Sequence, residues 1–266
     1  MEKISKIVFI GAGNVATNLA IALHNKGVSI LQVVSRTIES ARELALKVNA
    51  DFCDNFSEIS QDADLYIISV NDDAIFELSE KLNLKRKNIV HTSGSLDISV
   101  LCNISDSYGV FYPLQTFSKE ELISFTAIPI CIEANNLFLH NQLIELAKKI
   151  SENVRIINSE ERKVLHISAV FACNYSSYMY LISSDILKDK GLSFDLLKPL
   201  IQRTAEKIKS IEPAQAITGP AKRNDIETIK KHLAYLDNLP ELKRVYKVLS
   251  DSIIVYFKKQ KNNVKL

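Results

Sequence analysis

The stretch Ile7-Val8-Phe9-Ile10-Gly11-Ala12-Gly13-Asn14-Val15-Ala16 decides how this chain folds. Four apolar residues make a short strand that stops at a glycine. A second glycine follows two positions on, and Val15 to His24 then reads as a helix closing near Gly27. This is the spacing of a strand-turn-helix unit that grips a dinucleotide. Gly11 permits the tight turn, Gly13 lets backbone approach a pyrophosphate, and Ala16 lets the helix pack closely on the strand. Free N–H groups and the positive dipole end at Asn14 and Val15 would then hold the phosphates.

Ser29 to Val34 is a β-branched second strand, and it ends at Ser35-Arg36-Thr37. A unit preferring NAD places a carboxylate here for the ribose hydroxyls. An arginine between two hydroxyls suits a 2′-phosphate instead, because guanidinium grips phosphate bidentately and stacks on adenine. The expected cofactor is therefore NADP; the plainer reading is an exposed arginine before a capped helix, Ile38 to Val48. Asp64 to Val70 is a nearly continuous apolar strand, as helices on both faces require, and Asn71-Asp72 opens the helix Asp73 to Leu82. Ligands in such sheets bind at the carboxyl ends of strands, which puts Val70 and Asn71 beside the cofactor or, equally, at a helix cap.

Asn88 to His91 is another strand, opening into His91-Thr92-Ser93-Gly94-Ser95, and Gly109-Val110-Phe111 leads into Tyr112-Pro113-Leu114-Gln115. These two strand-end loops are where substrate and nicotinamide could meet. Ser93, Gly94, Ser95, Tyr112 and Gln115 are candidate substrate contacts, with Ser93 also near the cofactor. His91 is a candidate acid or base, against a packed strand-end histidine. Strands at 127–132 and 154–157 flank a helix at 137–150, so the first part is an α/β layer architecture.

At Asn158 the composition changes. Asn158 and Glu161 form a capping-box pattern opening a long helix to Lys190, with Gly191 as its C-cap. Its apolar residues wrap around more than one face, which predicts burial on several sides. Helices at 196–211, 225–236 and 241–258 follow, and Lys258 to Lys265 reads as a solvated tail. The expected domains are 1–158 and an all-α 159–266. His166, Val170 and Asn174 fall on one helical line, so His166 could transfer a proton and Asn174 orient a carbonyl or carboxamide. An interhelical hydrogen-bonding role is the alternative. In the loop Thr218 to Asp225, Lys222 and Arg223 could bind an anionic group or simply be solvated.

Composition narrows the function classes. With 33 basic and 31 acidic residues among 266, no nucleic-acid partner is expected. Four scattered cysteines, without a C-x-x-C pair, fit neither a disulfide framework nor a metal site and suit the cytoplasm. No apolar run is long enough to cross a membrane.

Gly11-Ala-Gly-Asn-Val-Ala16, Ser35-Arg36, His91-Thr-Ser-Gly-Ser95, Pro113-Leu-Gln-Thr-Phe117, His166 to Asn174 and Gly219-Pro-Ala-Lys-Arg-Asn-Asp225 together resemble a family of NADP-dependent oxidoreductases. Their N-terminal half is Rossmann-like, doubly wound and mostly parallel, and their C-terminal half is a helical domain of unknown function. The order of parts is more distantly similar to pyrroline-5-carboxylate reductase and to the β-hydroxyacid and 6-phosphogluconate dehydrogenases. The resemblance implies NADP as cofactor, hydride transfer to or from a small molecule held between the domains, and a homodimer formed through the helical half. Two positions depart from it. Tyr112 stands where many relatives have histidine, and Val170 occupies the place of the dehydrogenases' lysine, one turn before Asn174. A reductase of a carbonyl, imine or hydroxy compound is the leading expectation. An NADP-binding sensor without turnover is the rival, and a deazaflavin-linked reductase ranks third.

Overall fold

The computed structural model describes residues 3–263. It divides into two compact units, one through Asn174 and the other from Tyr175.

The first unit is built on an eight-stranded sheet of order β3-β2-β1-β4-β5-β6-β7-β8. Its strands are β1 (Lys6–Ile10), β2 (Ser29–Val34), β3 (Asp51–Cys53), β4 (Leu65–Ile68), β5 (Asn88–His91), β6 (Ser107–Pro113), β7 (Ile130–Ala134) and β8 (Val154–Ile156). All pairings are parallel except that of β6 with β7. The sheet is doubly wound, as the alternation of strands and helices predicts. β3 escapes a sequence reading because it is three residues long and begins at an aspartate.

Burial explains the uninterrupted apolar strands. Along β1, Ile7 and Phe9 face one core while Val8 and Ile10 face the other, the two-residue period of a strand covered on both sides. Helices α1 (Asn14–His24), α2 (Ile38–Val48) and α4 (Leu137–Lys148) cover the first face with Leu19, Leu23, Leu44, Leu143 and Leu146. α3 (Asp72–Lys81) covers the second through Ile75 and Leu78. The sheet order turns back at β1, between β2 and β4, so the ligand crevice belongs outside the carboxyl ends of those strands.

The long helix departs from expectation in two ways. It is three consecutive segments: α5 (Ser159–Ala169), a π-helical turn (Val170–Tyr175) and α6 (Ser176–Lys188). It is also not buried on several sides. α6 has no buried residue, and Val164, Phe171 and Leu181 are 67%, 66% and 55% exposed. The apolar residues do wrap the helix, but within one chain they face outward. The Asn158–Glu161 capping box is present as read. It marks where α5 begins; the contacts divide later, because Arg162 and His166 tie α5 into the first unit.

In the second unit, α7 (Lys198–Ile208), α8 (Pro213–Ala216), α9 (Pro220–Arg223), α10 (Ile226–Tyr235) and α11 (Pro240–Asn263) follow Gly191, which takes a left-handed φ of 65°. Asp225 caps α10 by accepting from Thr228 N–H at 3.1 Å. α11 carries the lysine-rich stretch as helix to Asn263, and Lys265 lies outside the described residues. No helix among the described residues is long and apolar enough to cross a membrane.

Candidate functional site

A cavity of about 1300 Å³ opens at the carboxyl ends of β1, β2, β4, β5 and β6, and every residue lining it belongs to the first unit. It exceeds the roughly 300–1,000 Å³ usual for a drug-sized ligand, as a dinucleotide with a small substrate requires.

One end is built from the opening stretch. Gly11 has a φ of 113° and donates its N–H to Val34 O at 2.7 Å. A Cβ there would sit 2.1 Å from Ser69 O, so only glycine fits the turn. Gly13 is the opposite case: a Cβ would meet nothing within 4 Å. That open space, directly before the N-terminus of α1, is what a pyrophosphate needs. Gly13, Asn14 and Val15 line the cavity, while Ala16 is fully buried beneath α1. Ser35, Arg36 and Thr37 line the next part of the wall. Thr37 is the N-cap of α2 but makes no side-chain cap bond. Arg36 is exposed and has neither hydrogen bond nor ion pair among the described residues. These free donors fit an anion at the end of β2.

Val70 and Asn71 also line the cavity. Asn71 is the N-cap of α3 without a side-chain bond, and the Asp72 carboxylate instead accepts a hydrogen bond from Ser95 Oγ. Ser40, Phe56, Ala74, Leu78, Lys81 and Lys119 complete this part of the wall. Sequence reading missed them because each is an ordinary helix or loop residue until the fold gathers it.

At the other end, Tyr112 Oη and His166 Nδ1 lie 3.2 Å apart, their rings edge to face. Gly94 lies against both: a Cβ there would be 2.5 Å from His166 Nδ1 and 2.9 Å from Tyr112 Cζ. Burial, with Cys131 opposite on β7, pushes the Tyr112 phenol up to about 12. Tyr112 therefore keeps its proton at any physiological pH. Ser93, Ser95, Gln115, Val170, Cys173 and Asn174 line the same region. Asn174 is exposed and sits in the π-helical turn, a distortion frequent at functional sites.

His91 is placed differently. It is fully buried and absent from the cavity wall. Its Nδ1 accepts Ser93 N–H at 3.1 Å. Burial, reinforced by the Arg162 charge, lowers its pKa to about 4, so it is neutral. Arg162, also fully buried, bonds Glu133, Leu96 O and Ser159 Oγ, fixing the strand-end loop from behind. Lys222 and Arg223 belong to the second unit. There Lys222 Nζ donates to Ile217 O at 2.8 Å and lies 5.0 Å from the Phe257 ring centroid.

Comparison with known proteins bears on this arrangement. Residues 6–94 match a family described as NADP oxidoreductase, coenzyme F420-dependent. Residues 128–253 match a domain of unknown function, DUF2520. A crystal structure from Bacteroides fragilis, described as a "putative NADP oxidoreductase", is 45% identical over 94% of this chain and 98% of that one, with a TM-score of 0.90. An imine reductase from Myxococcus stipitatus in complex with NADP+ shares the fold at 13% identity, covering 97% of this chain and 94% of that one, with a TM-score of 0.63. A 1-pyrroline-5-carboxylate reductase from Streptococcus pyogenes does so at 15% identity, with coverage of 96% and 98% and a TM-score of 0.56. Among curated sequences, a glutamyl-tRNA reductase from Oceanobacillus iheyensis is 36% identical over 86 residues. The match takes in 30% of this chain and spans only 19% of that relative.

Proposed function

The chain belongs to the family of NADP oxidoreductases that join a Rossmann-like unit to a helical domain of unknown function, and on that premise we propose that it is a reductase or dehydrogenase of a small carbonyl, imine or hydroxy compound. NADP is its cofactor. Gly11, Gly13 and the start of α1 would hold the pyrophosphate, and Ser35, Arg36 and Thr37 the 2′-phosphate. When bound, the nicotinamide supplies or receives the hydride.

The single observation that carries the reading is the Tyr112–His166 pair beneath Gly94. A carbonyl or imine that gains a hydride at carbon must gain a proton at its heteroatom. Tyr112 is a protonated donor in the cavity wall. With His166 Nδ1–H donating to the phenol oxygen, the phenolic proton is turned toward the substrate; Nδ1 then returns a proton to the phenolate while Nε2 takes one from solvent. Oxidation of an alcohol runs the same path in reverse. Asn174, Ser93, Ser95 and Gln115 would orient the substrate. His91 takes no proton in this scheme; it positions the loop that carries Ser93 and Gly94. Lys222 and Arg223 remain candidates for an anionic group of the substrate.

We further propose a homodimer, supported by the exposed apolar residues of α5, α6 and α7, and a cytoplasmic setting, supported by four free cysteines.

The test is turnover with NADPH across carbonyls, imines and a deazaflavin, with Tyr112→Phe beside the wild type. General acid catalysis contributes about 10²–10⁴-fold, so the variant should lose about 100-fold or more in turnover while binding NADPH normally. An unchanged rate would remove Tyr112 from the chemistry. Tight NADPH binding with no turnover on any compound would favour the sensor reading.

A further inference from the structure

Lys119 lines the cavity, yet the dinucleotide motif that assigns Gly11, Gly13 and Arg36 says nothing about it. It lies on the segment that leaves β6 at Pro113, and the position of that segment is fixed. Leu114 N–H bonds Pro129 O at 2.9 Å. Phe117 is buried and stacks on Phe125, with ring centroids 5.4 Å apart. Asn18, buried on α1, donates to Ser118 O at 2.7 Å and to Asn14 O at 3.0 Å. The segment is thus strapped across the first turns of α1, and Lys119 is the next residue.

Beyond α1 the lysine reaches α2. Its Nζ lies 3.8 Å from Glu43 Oε2, too far for a hydrogen bond, and it has no other partner among the described residues. Glu43 is one helical turn beyond Ser40, which lines the same cavity after Ser35, Arg36 and Thr37. The ammonium therefore sits beside the second turn of α2, in the wall of the same cavity and without a hydrogen bond. The Glu43 side chain is 53% exposed, and such a surface contact is worth little. A phosphate dianion offers a stronger, charge-assisted partner.

We propose that Lys119 is a second cation for the 2′-phosphate, its side chain leaving Glu43 for the phosphate when NADP binds. The proposal rests on the NADP reading above. Arg36 approaches from the end of β2 and Lys119 from the strap, so the 2′-phosphate is held from two sides. In the absence of the phosphate, Glu43 is the lysine's only ion-pair partner among the described residues.

Fluorescence or calorimetric titration of the full chain with NADPH, NADH and 2′,5′-ADP tests this without any turnover. Lys119→Met should weaken NADPH and 2′,5′-ADP about tenfold, the loss of one charged phosphate contact, and leave NADH within about twofold. Lys119→Arg should keep most of the affinity, and Glu43→Gln should tighten NADPH slightly. Equal weakening of NADPH and NADH would place the lysine elsewhere or mean that the strap is damaged; no change in any ligand would remove it from the site. Either result overturns the proposal. Failure of the wild type to bind NADPH would instead overturn the cofactor reading on which it rests.

Discussion

The two ends of the cavity are assembled by different means. The end proposed to hold the phosphates comes mainly from two neighbouring turns, Gly11 to Val15 and Ser35 to Thr37, each continuous in sequence. The end proposed for the reaction joins Gly94 after β5, Tyr112 on β6 and His166 on α5, three elements that meet only in the folded unit. The first is specified by backbone: a positive φ, a space without a Cβ, a helix start. The second is specified by side chains converging on one another. A backbone site should fail in steps set by geometry at single glycines, and a converged site should fail when any one contributor is displaced.

The largest effects are expected at the glycines, which separate turn from ligand. Gly11→Ala puts a Cβ 2.1 Å from Ser69 O at a φ of 113°, so it should lower stability by about 3 kcal/mol or more and abolish cofactor binding with it. Gly13 has an ordinary φ of −81° and nothing near a Cβ. Gly13→Ala should therefore melt with the wild type yet weaken NADPH about 1,000-fold, because the methyl takes the space of the pyrophosphate. Thermal melts and NADPH titrations on both variants read the difference. A Gly13→Ala protein that binds NADPH normally would break the assignment of this end.

Gly94→Ala makes the corresponding test at the reaction end, with a smaller effect. The methyl must push His166 or Tyr112 away, since both stand within 3 Å of it. Displacement of about 1 Å in a catalytic arrangement costs on the order of 100-fold in rate. Turnover should fall by about that factor while NADPH affinity changes little, the reverse of Gly13→Ala. If affinity fell and turnover at saturating NADPH held, the two ends would not be separable in the way proposed.

What could be read from sequence follows the same division. Gly11, Gly13, Ser35 and Arg36 could be singled out because the roles proposed for them depend on neighbours within a few positions. The doubly wound sheet was legible because burial on both faces leaves strands such as Leu65–Ile68 wholly apolar. Tyr112 and His166 could each be singled out as polar residues in apolar settings, but nothing in the sequence says that they touch. Nor does it say that Gly94 is a glycine because of them. The long helix misled for a related reason: apolar residues on several faces signal a partner without saying that the partner is within the same chain.

His91 shows how a histidine at the reaction end can belong to the scaffold, and its effect is the smallest of the three. Its Nδ1 accepts Ser93 N–H, so protonating that nitrogen breaks a buried hydrogen bond as well as burying charge beside Arg162. With a folded-state pKa of about 4 against an ordinary 6.5, the unfolded chain takes up a proton first as pH falls. Stability attributable to this group is complete above about pH 6.5 and lost progressively toward pH 4, amounting to about 2 kcal/mol by pH 5. Asparagine can accept the same N–H through its side-chain oxygen without titrating. Urea midpoints of wild type and His91→Asn between pH 5 and 7 should therefore diverge, the variant lacking that part of the slope, while its turnover at pH 7 stays within a few-fold of wild type. Parallel stability curves would mean that His91 is free to protonate in the folded state. A turnover loss as large as that of Tyr112→Phe would return it to the reacting end of the cavity.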